Sequence, residues 1–106
     1  MSVFSKKRYL SGKSNLREEF YFDLVDYLTD YVKAVEARWW DEIEFNGYRI
    51  FDIWMEDSVR KLSDSDWEKL GPIKRPPKPK ARKVTQLRWA KTAFDKLDRF
   101  ERLLDK

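Results

Sequence analysis

Ile43-Glu44-Phe45-Asn46-Gly47-Tyr48-Arg49-Ile50 is the stretch on which the fold class turns. It places Asn-Gly between two alternating segments. A type I′ turn favours that pair, because both central residues need positive φ. A two-residue loop there pairs Phe45 with Tyr48, Glu44 with Arg49 and Ile43 with Ile50. One face of the hairpin then carries Ile43, Phe45, Tyr48 and Ile50, and the other a cross-strand Glu44–Arg49 ion pair. A lone hairpin is marginal in water, so its apolar face must pack on something.

The partner lies upstream. Asn15 with Glu18 three residues later has a capping-box pattern. From Leu16 to about Trp40 the apolar residues recur at helical spacing: Leu16, Phe20, Leu24, Tyr27, Leu28, Tyr31, Val35 and Trp39. Tyr21, Val25 and Val32 widen this stripe, so it needs cover from two sides. Phe22 and Trp40 fall off the stripe and are candidate aromatic interface residues. Glu19, Asp23, Asp26 and Asp30 form an acidic ridge on the opposite face. It is either a solvated face or a docking surface for something basic, the chain's own linker included.

Downstream of the hairpin, Phe51, Ile53 and Met55 alternate as a strand would, whereas Phe51, Met55, Val59 and Leu62 fit a helix. The expectation is strand to about Ile53 and helix from about Trp54 to Leu62. Ser65-Asp66-Trp67-Glu68 is a capping pattern for a short helix that Gly71-Pro72 stops. From about Val84 to Leu104 a helical period returns through Leu87, Ala90, Phe94, Leu97, Phe100 and Leu104. Glu101 falls within that stripe, at its edge or beside a basic partner. The expected class is α+β and mostly helical: a long N-terminal helix packed by a β-hairpin and a C-terminal amphipathic helix.

Gly71 to Lys83 separates these parts. It holds all four prolines and six positive charges, with no acid. Pro76, Pro77 and Pro79 exclude helix and favour an extended chain. The expected division is a basic flexible arm over 1–14, an aromatic-rich acidic body over 15–71, a basic Pro-rich linker over 72–83 and the C-terminal helix over 84–106. In the arm, Val3, Phe4, Tyr9 and Leu10 are candidates to dock on the body, while Lys6, Lys7, Arg8 and Lys13 carry charge. The charge is polarised: residues 18–72 carry 6 Lys/Arg against 15 Asp/Glu, and residues 73–91 carry 8 Lys/Arg and no acid. Such asymmetry bears on partners rather than on fold.

The residue inventory argues against chemistry. With no His and no Cys, the chain lacks the usual zinc ligands, the commonest general base and the Ser-His or Cys-His nucleophile pairs. Asp64, Asp66 and Glu68 are too few oxygen ligands for a Ca²⁺ loop, and no Gly marks its sharp bend. No Gly-rich phosphate loop exists. The expectation is no catalytic residues, no metal and no cofactor. With no apolar run of membrane length and no signal peptide, a cytoplasmic protein is expected.

Two functional expectations follow. The first is a small non-enzymatic protein that acts by occupying a protein partner or complex. It has the make-up of small regulators and inhibitors from viruses and mobile elements, which would place it in a host cytoplasm. Abundant Trp and Tyr, enriched at interface hot spots, support this, with the ridge Glu19, Asp23, Asp26 and Asp30 as a contact surface. The alternative is a nucleic-acid-binding or nucleoprotein-associated factor using the basic segments 6–13 and 74–91, with Lys74, Arg75, Lys78, Lys80, Arg82 and Lys83 as phosphate contacts. A monomer and a homodimer exchanging the C-terminal helix are both compatible with so long a linker. The linker's exposed, extended character favours charges that face outward, toward a partner.

Overall fold

Asn15 caps the first long helix as its spacing predicts. Its Oδ1 accepts from the Glu18 backbone N–H at 2.8 Å. The computed structural model describes residue 4, residues 6–12 and residues 15–104. The expectations placed on Val3 and Lys13, and on the side chain of Leu104, lie outside what it describes. The elements are α1 (Lys6–Leu10), α2 (Leu16–Ala37), α3 (Trp40–Asp52), a π-helical turn (Ile53–Asp57), α4 (Ser58–Lys61), α5 (Asp64–Leu70) and α6 (Lys83–Leu104). Among the described residues no helix is long and apolar enough to cross a membrane.

The β-hairpin does not form, and the α+β expectation is corrected to an all-helical fold: no strand occurs among the described residues. Asn46 and Gly47 lie inside α3, and both are buried. Asn46 is tolerated there because its Nδ2 donates to the Glu42 carbonyl, one turn back, at 2.9 Å. Gly47 is tolerated because the proline segment packs tightly over this position and leaves little room for a side chain. A Cβ at this position would lie 3.3 Å from Pro76 Cβ and 3.5 Å from Tyr31 Cε2. Glycine costs a helix interior about 1 kcal/mol relative to alanine. Close approach of the proline segment offsets that cost. The true inner face of α3 is Ile43, Gly47 and Ile50, spaced i, i+4, i+7, while Phe45 and Tyr48 point outward. The expected Glu44–Arg49 pair is likewise replaced: Arg49 bonds Asp52 at 2.9 Å.

The strand expected to about Ile53 is also absent. The chain stays helical from Trp40 to Lys61, bulging through the π turn at Ile53–Asp57. The following short helix is capped by Ser63 rather than Ser65, with Ser63 Oγ accepting from the Asp66 N–H at 3.1 Å.

Helix α2 is central, with α3 and α6 packed on it. Phe20, Leu24, Leu28, Tyr31 and Val35 of α2 are fully buried against Ile43, Ile50, Ile53, Trp54, Leu97 and Phe100. The predicted α2 stripe therefore stands over most of its length, except that Leu16 is exposed and Trp39 lies beyond the helix. The α2–α3 corner is made by Arg38, the only non-glycine residue at positive φ among those described. Arg17 grips the buried Asp66 with two hydrogen bonds, at 3.0 and 3.3 Å, and ties the start of α2 to α5. Glu101 sits at the edge of the α6 stripe facing the Tyr21 hydroxyl. Burial and then the Glu101 bond raise the Tyr21 pKa well above its ordinary value.

Tyr31 is fully buried, with its ring edge-on to Trp89 at 5.1 Å. Its hydroxyl has no protein hydrogen-bond partner, and burial pushes its pKa up to about 12. Tyr31→Phe is therefore expected to stabilise the fold by about 1 kcal/mol in urea unfolding at neutral pH. A raised folded pKa means that the folded state holds its proton more tightly than the unfolded state, where tyrosine titrates near about 10. The stability tied to Tyr31 is thus intact below about pH 10 and is lost as pH rises toward the folded value. The variant should lose less stability than the parent over that interval. An equal loss in both would contradict the assignment.

Candidate functional site

Residues 71–82 contain no helix, so their backbone groups need partners from elsewhere. The body supplies side-chain donors. Trp54 Nε1–H donates to the Gly71 carbonyl at 2.8 Å, Lys96 Nζ to Pro72 at 2.6 Å and Trp89 Nε1–H to Lys74 at 2.9 Å. Gln86 Nε2 donates to Lys78 at 3.1 Å and to Pro79 at 2.8 Å. Gln86 is wholly buried, and its Oε1 accepts from Arg38 Nη1 at 3.1 Å. The segment is thus a strap pinned through its own carbonyls to α3's continuation and α6. It closes with a turn in which the Ala81 N–H donates to the Lys78 carbonyl at 2.9 Å, with Pro79 at the second position that such turns favour.

With these carbonyls turned to the body, the strap's charged side chains are left at the surface. Lys74, Arg75, Lys78, Lys80 and Arg82 are all exposed. Among the described residues, none of the five has a carboxylate within ion-pair distance. Lys83 differs, because its Nζ pairs with Glu36 of α2. Arg75 lies flat on the body, its guanidinium 5.0 Å from the Phe51 ring centroid. The strap is therefore both ordered against the body and presented outward.

It does not cross the acidic ridge. The basic groups that meet the ridge come from α1 and from Lys61. Lys6 pairs with Asp26 at 3.1 Å, and the Tyr9 hydroxyl donates to Asp23 at 2.6 Å. That bond, followed by burial, raises the Tyr9 pKa well above its ordinary range. Arg8 pairs with the buried Glu18, and Lys61 reaches Glu19 and Asp23 at 3.9 and 3.8 Å. Asp30 remains exposed. Phe22 is half-buried in an aromatic cluster with Phe4, Tyr9 and Tyr21, beneath the Lys6 ammonium. Phe4 stacks on Tyr21 at 4.5 Å, whereas Leu10 is exposed. Trp40 is partly exposed beside Trp39 at the α2–α3 corner, under the Arg38 guanidinium at 4.5 Å.

Comparison with known proteins returns no match to any family model, curated protein or solved structure.

The strap cations are thus gathered on one pinned segment, the ridge residues Glu19, Asp23 and Asp26 are engaged within the chain, and Phe22 and Trp40 lie apart. Spacing did not point to Gln86, Trp54 or Trp89. A glutamine where α6 begins and tryptophans with free N–H groups near a proline run are the one available hint, since a helix-free segment needs donors. Among the described residues, no group of acidic side chains is placed to hold a metal ion.

Proposed function

We propose that this is a non-enzymatic binding protein whose strap engages nucleic acid through its phosphates. The observation that carries this is a row of five exposed cations without acidic partners, on a backbone already fixed by its own carbonyls. A backbone already held loses little conformational freedom on binding, so less of the electrostatic gain is spent on ordering the segment. The polarity of the body is also eased. The acids nearest the N-terminal arm are engaged by Lys6, Lys61 and Tyr9, while the strap gathers five unpaired cations on one short segment.

The test is fluorescence anisotropy with labelled oligonucleotides between 50 and 200 mM salt. These are about the limits over which phosphate contacts lose several decades of affinity. Five phosphate contacts predict a slope of log affinity against log salt of about −4.5 on duplex and about −3.5 on single strands. Replacing Lys74, Arg75, Lys78, Lys80 and Arg82 with serine should flatten the slope to near zero. Absence of binding at the lowest salt, or an unchanged slope in the variant, would overturn the proposal.

A second reading is favoured by Trp39 and Trp40, which are 62% and 40% exposed at one corner. Exposed tryptophan is a common interface anchor, and this corner would serve a protein partner. A partner captured after nuclease treatment, and lost in Trp39→Ser, would support that reading over the first.

A further inference from the structure

Beside the strap lies a groove whose far wall is α3. Tyr48 and Phe51 form one side, Pro76 and Pro77 the other, with Arg75 at its mouth and Glu44 on its rim. The groove exists because Gly47 lets the strap sit so close to α3. Tyr48 is 63% exposed, although it is a large ring on a well-packed helix. Phe51 is half-buried and already carries a planar cation on its face.

We infer that this groove is a base-stacking site for single-stranded nucleic acid, an inference that rests on the phosphate-binding proposal above. Proline and aromatic walls suit a flat apolar face. The adjoining cations suit the phosphates on either side of it. An unpaired base brings both features together, whereas a duplex keeps its bases stacked inside. Glu44 sets the polarity of the site. Its carboxylate repels phosphate from the α3 rim, so the backbone must run along the strap, and it can accept from the amino group of an inserted base. Arg75 serves both parts, since its guanidinium can stack and can also meet a phosphate.

The experiment is anisotropy with single-stranded and duplex oligonucleotides of equal length, using the full chain and its Tyr48→Ala and Tyr48→Phe variants. Tyr48 is exposed, so both variants should fold, and circular dichroism checks this. Stacking predicts that Tyr48→Ala weakens single-strand binding by about 5- to 100-fold. Duplex binding should stay within about twofold, and the salt slopes should be unchanged, because no phosphate contact is removed. Tyr48→Phe should retain single-strand affinity. If Tyr48→Ala leaves single-strand affinity unchanged, or weakens both nucleic acids equally, the stacking site is overturned while phosphate binding by the strap stands. If the parent binds neither nucleic acid, both proposals fall.

Discussion

Gly47→Leu is expected to lower stability by about 2–3 kcal/mol, as overpacking of a tight contact does. The leucine Cβ would meet Pro76 Cβ at 3.3 Å and Cγ at 3.4 Å, with the Tyr31 ring close behind. Proline cannot yield by rotating a side chain, and the strap is fixed on either side of it by Trp89 and Gln86. The strap must lift, or α3 must move away from α2. For a chain of this size the melting temperature should fall by on the order of 10–20 °C. Gly47→Ala is the informative contrast. Its single methyl meets the same atoms, but alanine recovers about 1 kcal/mol of helix propensity. The variant should stay within about 1 kcal/mol of the parent in urea unfolding. In a type I′ turn the order would differ, because any side chain at positive φ is penalised. Equal and large losses for alanine and leucine would therefore argue for the turn and against the helix.

Gln86→Leu should cost about 2–4 kcal/mol despite roughly conserving volume and helix propensity. Gln86 is buried and serves three partners: the carbonyls of Lys78 and Pro79 and the guanidinium of Arg38. Leucine leaves all three without that partner. Buried polar groups stripped of partners cost about 1–3 kcal/mol each, reduced here because the strap edge can reach water. Chemical denaturation reads the loss. The variant should also show faster hydrogen exchange at the Lys78–Ala81 turn than in the body. A stability within about 0.5 kcal/mol of the parent would mean that Gln86 does not hold the strap.

Helical period made α2 and α6 legible, and Asn15 marked the start of α2. The break at Arg38 was not legible, because nothing in Val35-Glu36-Ala37-Arg38 stops a helix. The left-handed turn is closed by its own backbone, Trp39 N–H to the Ala34 carbonyl at 3.0 Å, and its Arg38 side chain is held by a distant glutamine at 3.1 Å. The error at Asn46-Gly47 has a similar cause. Local turn propensity was strong, but both residues lie on a buried helix face, one satisfied by its own preceding turn and the other required by a proline 29 positions on. Propensity describes a residue and its neighbours, whereas packing of this kind is tertiary. The candidate cations of the strap were visible as a charge run. Their outward orientation was expected from the extended proline run, but the donors that hold the carbonyls inward were not. The acidic ridge was visible as a stripe, yet its engagement by α1 and Lys61 depended on the arm folding back.

Side-chain donors of the body pin the strap through its carbonyls. Native-state exchange of the five tryptophan indole N–H protons, followed by two-dimensional NMR and assigned with Trp→Phe variants, tests this most directly. Trp54 and Trp89 donate to strap carbonyls and should exchange slowly, with Trp54 approaching the rate of global unfolding. Trp39 and Trp40 should exchange fast. If Trp89 exchanges as fast as Trp39, the strap is not held to the body.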